Sequence, residues 1–215
     1  MGLALPKSSA ASVRRVQRIG PISVFVDANV WFSRTLRDWL GLLYVLPDDP
    51  PFVVHWSEDV LAELLYHLRK AHPAWPGHRI SGIRDRLAGT FEAGRVESFE
   101  IDPTYRGRDV GDVHVHAAAV ACGADVLLTF DVRDFVWDAN SSPYEVMHPD
   151  DFLVLVDDFC PEIVTAAVDE IVTYWTRRGT SSDLVTALRK AACPQFADHV
   201  ARRRPQHGHR LRIER

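Results

Sequence analysis

Cysteine is rare in this 215-residue chain, occurring only at Cys122, Cys160 and Cys193. Three thiols so far apart provide neither a disulfide framework nor the ligand spacing of a zinc site, so free buried thiols are expected. Long apolar runs are missing as well. No stretch approaches the roughly 18 consecutive apolar residues of a membrane span, and Met1 to Leu5 lacks the charged start of a secretory signal. A cytoplasmic protein with no membrane association is expected. Lysine is absent between Lys70 and Lys190, and the formal net charge of −4 lacks the basic excess of a bulk nucleic-acid binder.

Charge is unevenly spread. Residues 196–215 hold six arginines against Asp198 and Glu214, a net of +4, which leaves −8 on residues 1–195. At the other end, Lys7, Arg14, Arg15 and Arg18 precede the first acid, Asp27. This start reads as a basic arm, with some flavour of an organelle transit peptide. With 47% hydrophobic and 25% charged residues, the chain has enough apolar material for one sizeable core and an appendage. The expected division is a basic arm at 1–21, an α/β body at 22–150, a helical extension at 151–205 and a basic tail at 206–215.

Within the body, Ile22 to Val26 is a short β-branched apolar run after Gly20-Pro21, and it predicts a buried strand ending at Asp27. Trp31 to Leu46 predicts a helix closed by the PDDPP turn of Pro47 to Pro51. Its Leu and Trp side chains exceed what one turn-rich end buries, so it is also the expected groove for a protein partner. A strand at Phe52 to His55 leads to Ser57, a helix cap followed by acids in the first turn and an apolar stripe at Val60, Leu61, Leu64, Leu65 and Leu68. A weaker helix covers Ile80 to Ala93, and Arg95 to Ile101 reads as a strand. Asp112 reads as the cap of a small-residue helix to about Cys122, stopped by Gly123, before a wholly apolar strand at Val126 to Phe130. Alternating strands and helices imply a mainly parallel sheet covered by helices. From Cys160 on, helical patterns at Ile163 to Arg177 and Asp183 to Ala191 continue without a further strand.

Ligands of open α/β sheets bind at the carboxyl ends of the strands. Asp27 ends the first strand, Asp131 follows the Val126 to Phe130 strand with Asp134 three residues on, and Asp112 opens the helix leading into that strand. Glu63 lies well off its helix's apolar stripe, free to face a cleft. Converging carboxylates repel one another, and hard divalent cations such as Mg²⁺ or Mn²⁺ relieve that repulsion through oxygen ligands. Phosphodiester hydrolysis is the chemistry that matches such a centre. Each acid alone has an ordinary reading too: a turn, a solvated helix face, a cap or a loop.

DANV at Asp27 to Val30, LRD at Leu36 to Asp38, WSEDVLAEL at Trp56 to Leu64, DVGDVHVHAAA from Asp109 and LLTFDVRDF ending at Phe135 resemble, in order, the motif series of PIN domains. They look most like VapC-type toxins of type II toxin–antitoxin modules, and the helical remainder resembles the C-terminal extension of one VapC subgroup. The resemblance implies a Rossmann-like three-layer α/β/α fold, an endoribonuclease dependent on Mg²⁺ or Mn²⁺, an RNA substrate, homodimerisation and a cognate antitoxin. Asp27, Glu63 and Asp112 fall on the family's acidic positions, and either Asp131 or Asp134 on the fourth. Asn29 matches the polar residue that orients the first Asp, and Thr129 a hydroxyl beside the site.

Other features have competing readings. His114 and His116 are two apart on a helix, about 200° around the axis, so they do not face one ion together. Trp31, Trp39, Trp56 and Trp75 are core residues or platforms for RNA bases. Two other functions compete with the nuclease: a catalytically silent PIN-like module that binds RNA or protein, and a Mg-binding phosphoacceptor receiver domain. The second requires a lysine after the last strand, where this chain has none.

Overall fold

A computed structural model describes residues 20–101, 105–135, 142–179 and 183–203. Five parallel strands form one sheet in the order β3-β2-β1-β4-β5, with β1 at Ile22–Val26, β2 at Phe52–Ser57, β3 at Arg95–Val96, β4 at Val126–Leu128 and β5 at Glu145–Met147. Val24, Phe25 and Val26 are all fully buried, as is the Leu127-Leu128 pair. Successive strand residues point to opposite faces, so consecutive burial means that both faces are covered. The fold is a three-layer α/β/α sandwich with a helical C-terminal region.

The strand order reverses between β1 and β4, and in such sheets the crevice outside this switch point takes ligands. A receiver domain follows the order 2-1-3-4-5 instead, so the sheet itself excludes that alternative.

Nine helices accompany the sheet among the described residues: α1 (Ala28–Phe32), α2 (Arg34–Val45), α3 (Glu58–Ala71), α4 (Gly77–Thr90), α5 (Val113–Ala121), α6 (Pro149–Phe159), α7 (Pro161–Arg177), α8 (Leu184–Lys190) and α9 (Pro194–Arg203). Helix α3 is as the sequence predicts. The Ser57 hydroxyl accepts from the Val60 amide at 3.3 Å, Glu58 and Asp59 lie in the first turn, and Val60, Leu61, Leu64 and Leu68 are buried. Gly123, at φ +64°, ends α5, and the Ala124 amide turns back onto the Ala119 carbonyl at 2.9 Å.

Several predicted elements differ. The single helix at Trp31 to Leu46 is two, because Ser33 adopts an extended conformation that ends α1 and caps α2 through the Leu36 amide. The strand at Arg95 to Ile101 pairs over two residues only. There the chain passes so close to β2 that a Cβ on Gly94 would lie 1.7 Å from the Val54 carbonyl oxygen. The strand ending at Phe130 stops at Leu128, and β5 appears where no strand is expected.

The C-terminal helices share the sheet's core. Trp39 of α2 packs edge-on against Phe196 of α9 at 4.8 Å, Phe52 of β2 packs against Phe152 of α6 at 5.3 Å, and one buried cluster runs from Val24 to Val200. Trp31, Leu36, Trp39, Leu40 and Leu43 are all buried, so α7 and α9 occupy much of the face that the sequence leaves for a partner. The basic arm to residue 19 and the tail at 206–215 lie outside the described residues.

Candidate metal centre at the sheet edge

Asp27 follows directly on β1 and caps α1, with only 4% of its surface exposed. Its Oδ1 accepts from the Ala28 amide at 2.6 Å and its Oδ2 from the Thr129 hydroxyl at 2.7 Å. Thr129 follows β4, whose register with β1 sets this meeting: the Asp27 amide donates to the Leu128 carbonyl at 3.0 Å. Asn29, in the first turn of α1, completes the scaffold. Its amide nitrogen donates to the Thr129 hydroxyl and to Asp131 Oδ2, both at 2.9 Å, while its oxygen accepts from the Phe130 amide at 3.2 Å. Asn29 thereby fixes Asp131 relative to Asp27 across 100 residues of sequence.

Asp112 lies at the end of a 3-10 turn, Val110–Asp112, and begins α5. Its carboxylate makes no capping hydrogen bond, which corrects the cap reading. The turn is held instead by Asp109, which accepts from the Gly111 amide at 2.7 Å. Freed from the backbone, the Asp112 carboxyl is pushed up to about 7 by burial and then by the charges of Asp27, Asp109, Glu63 and Asp131. Asp27 is pushed up to about 6 by burial, with Glu63 and Asp131 adding to the effect against the Thr129 and Ala28 hydrogen bonds. Four predicted acids, Asp27, Glu63, Asp112 and Asp131, therefore share one electrostatic environment at the switch point.

Asp134 has a different neighbourhood. Its amide closes a turn onto the Asp131 carbonyl, its carbonyl accepts from the Arg108 amide, and its charge acts on the Tyr105 hydroxyl. Of the two candidates for the fourth position, Asp131 is among the charges that raise both Asp27 and Asp112.

Glu63, on α3, stands between two histidines, 3.4 Å from His67 Nε2 and 3.6 Å from His114 Nε2. His114 is the main cause holding the Glu63 carboxyl below its usual range. His116 turns the other way, buried, with Nδ1 2.8 Å from the Tyr144 hydroxyl. The divergence expected of two residues two apart is observed. Sequence reasoning did not single out Asp109 or His67, although His67 follows Glu63 by one helical turn and Asp109 precedes Asp112 by three residues.

Trp31, Trp39 and Trp56 are buried and offer RNA no surface. Trp75 is sandwiched, stacked on His72 at 3.7 Å with the Arg79 guanidinium 3.7 Å from its centroid. The three thiols are free, and burial pushes Cys122 up to about 11 and Cys193 to about 12, so neither is a ready nucleophile.

Among the described residues, three donor atoms lie within 4.8 Å of one another at Asp157, Asp158 and His199, not at the sheet edge. Asp157 is already neutralised. It is 2% exposed, bonds His199 Nδ1 at 2.8 Å and pairs with Arg203. Among the described residues, the sheet-edge acids do not bring three donor atoms that close together. Their donor set is oxygen, and the charges that raise Asp112 are those of the carboxylates Asp27, Asp109, Glu63 and Asp131, a combination suited to a hard divalent cation.

No helix among the described residues is long and apolar enough to cross a membrane. No curated protein matches the chain. Residues 149–202, which are α6 to α9 almost to the last residue, match the family model described as VapC50 C-terminal domain. This segment, about a quarter of the chain's length, is similar to that C-terminal domain.

Proposed function

We propose that this protein is a divalent-metal-dependent endoribonuclease with a PIN-type active site, the toxin of a type II toxin–antitoxin pair. One observation supports the reading: at the switch point of a parallel sheet, Asp27 and Asp112 are driven toward protonation by burial, with the charges of Glu63 and Asp131 acting on both. The VapC50 C-terminal domain at 149–202 supports the same conclusion independently of the acids.

Asp27, Glu63, Asp112 and Asp131 would hold Mg²⁺ or Mn²⁺, with Asp134 outside the set. Bound there, the cation supplies a hydroxide nucleophile and charge stabilisation at a phosphodiester. The chain's own contribution is position. Thr129 and the Ala28 amide each take one lone pair from a different Asp27 oxygen, which fixes the carboxylate plane and leaves further lone pairs for a cation. Asn29 holds Asp131 in place and ties α1 to the end of β4. His114 and His67 orient Glu63. The same reading includes a cytoplasmic homodimer inhibited by a cognate antitoxin.

The test is RNA cleavage by purified protein in Mg²⁺, Mn²⁺ or EDTA. Cleavage is expected only with metal, with 5′-phosphate and 3′-hydroxyl ends, and Asp27→Asn should lose it by orders of magnitude while staying folded. Cleavage that persists in EDTA, or 2′,3′-cyclic phosphate ends, would refute the mechanism.

A further inference from the structure

The acidic edge has a basic neighbour. A cleft of about 520 Å³ between α2, α4 and α7 is lined by four arginines, Arg34, Arg37, Arg79 and Arg86, against one carboxylate, Asp38. In a body that carries excess acid, this is a local reversal of sign. The guanidiniums crowd one another: burial first, and then Arg34 and Arg86, pull Arg37 down to about 10 against the pull of Asp38. Little of this charge is used within the fold. Arg34 pairs only with Asp38, at 3.6 Å with both side chains mostly exposed, while Arg79 and Arg86 have no ion-pair partner among the described residues.

Arg37 ties the cleft to the sheet edge. Its guanidinium donates to the Trp31 and Phe32 carbonyls, the last two residues of α1, whose first turn is capped by Asp27. Five residues of helix rise about 7 Å. The arginine cluster thus begins one short helix from the proposed catalytic carboxylate, a distance that a single strand lying across both covers easily. Guanidinium forks match phosphate oxygens bidentately. The Trp75 ring offers no stacking face, because His72 and Arg79 flank it.

We propose that the Arg34/Arg37/Arg79/Arg86 cleft binds the sugar-phosphate backbone of the RNA substrate beside the scissile bond, contributing affinity without base preference. This rests on the nuclease reading above. It also assigns a role to the C-terminal region, since Tyr174 of α7 forms part of the cleft wall. An acidic segment of a protein would meet the same charge, but the short connection through α1 to the acidic edge favours the substrate.

The experiment measures binding of a fluorescent single-stranded oligouridylate of roughly a dozen nucleotides, in EDTA, across a salt series. The Arg34→Gln/Arg86→Gln protein is compared with the unsubstituted one. Affinity at low salt should fall about tenfold, and the slope of log K against log salt should shrink by about 1.4, or 0.7 for each single-strand phosphate that is no longer neutralised. Both side chains are exposed, so the melting temperature should hold, and Arg34→Lys/Arg86→Lys should keep most of the slope. Unchanged affinity and slope in the glutamine variant, with the unsubstituted protein binding normally, would overturn the cleft assignment and leave the nuclease reading standing. So would loss of polyglutamate binding with RNA binding intact, which would assign the cleft to an acidic protein. Failure of the unsubstituted protein to bind RNA at all would remove both.

Discussion

Asp150 and Asp157 in α6, and Asp27 and Asp112 at the sheet edge, are the same side chain withdrawn from water in two ways. The α6 pair is matched. Asp150 accepts from the Gln195 and Phe196 amides at 3.0 and 2.8 Å, capping α9 from a neighbouring helix just after Pro194, which has no amide hydrogen to offer. Asp157, close to two turns further on, takes His199 and Arg203 of the same helix. Two acids on one face of α6 thus clasp both ends of α9. At the sheet edge, Asp27 has two donors but faces Glu63 and Asp131, and Asp112 makes no capping hydrogen bond and is raised by burial and then by the charges of Asp27, Asp109, Glu63 and Asp131. Burial of an acid therefore does not by itself mark a functional site; burial among like charges does. On the proposed metal-site reading, the α6 acids stabilise the fold, while the edge acids cost it stability that a cation would restore.

The clasp is where substitution should cost most. Asp157→Ala leaves Arg203, whose side chain is only 25% exposed, without its partner, a loss of about 3 kcal/mol. For a chain of this size that lowers the melting temperature by roughly 6–12 °C, measurable by circular dichroism. Asp150→Ala removes one helix cap and should cost about 1–2 kcal/mol, with Asp150→Asn recovering part of it because the amide oxygen still accepts. If either alanine variant melted with the parent protein, the clasp would be decoration and the contrast between the two regions would fail.

How much of this is readable from the sequence follows from where each feature gets its information. Strands β1 and β4 are legible because a parallel strand buried on both faces is a continuous apolar run, and α3 because cap, first-turn acids and stripe agree. Strand β5 is not. Glu145, Val146 and Met147 are half-buried, and pairing with β4 makes them a strand. The break at Ser33 is hidden inside one apolar stretch. Asp27 and Asp131 are legible at strand ends, but the hydrogen bond that favours Asp131 over Asp134 in the proposed site comes from Asn29, 102 residues away from Asp131. The apolar surplus of α2 points to a partner, and much of it is buried by this chain's own α7 and α9, through packing such as Trp39 on Phe196.

The central claim, that the edge acids repel one another in want of a cation, is tested most directly on Asp112. Its folded-state carboxyl titrates at about 7 and its unfolded one near the ordinary 3.8. Between those values the folded state holds a proton that the unfolded state has released, so stability declines as pH rises through the window and the penalty is complete above it. Asp112→Asn cannot ionise. In EDTA at pH 8 it should therefore melt a few degrees above the unsubstituted protein, with the gain shrinking as pH falls through 7 and vanishing below about 4. Mn²⁺ should raise the melting temperature of the unsubstituted protein, as a ligand of the folded state does, and raise that of the variant much less. A variant that melts lower than its parent in EDTA at pH 8, or one that gains as much from Mn²⁺, would show that Asp112 is structural and that the sheet edge is no metal centre.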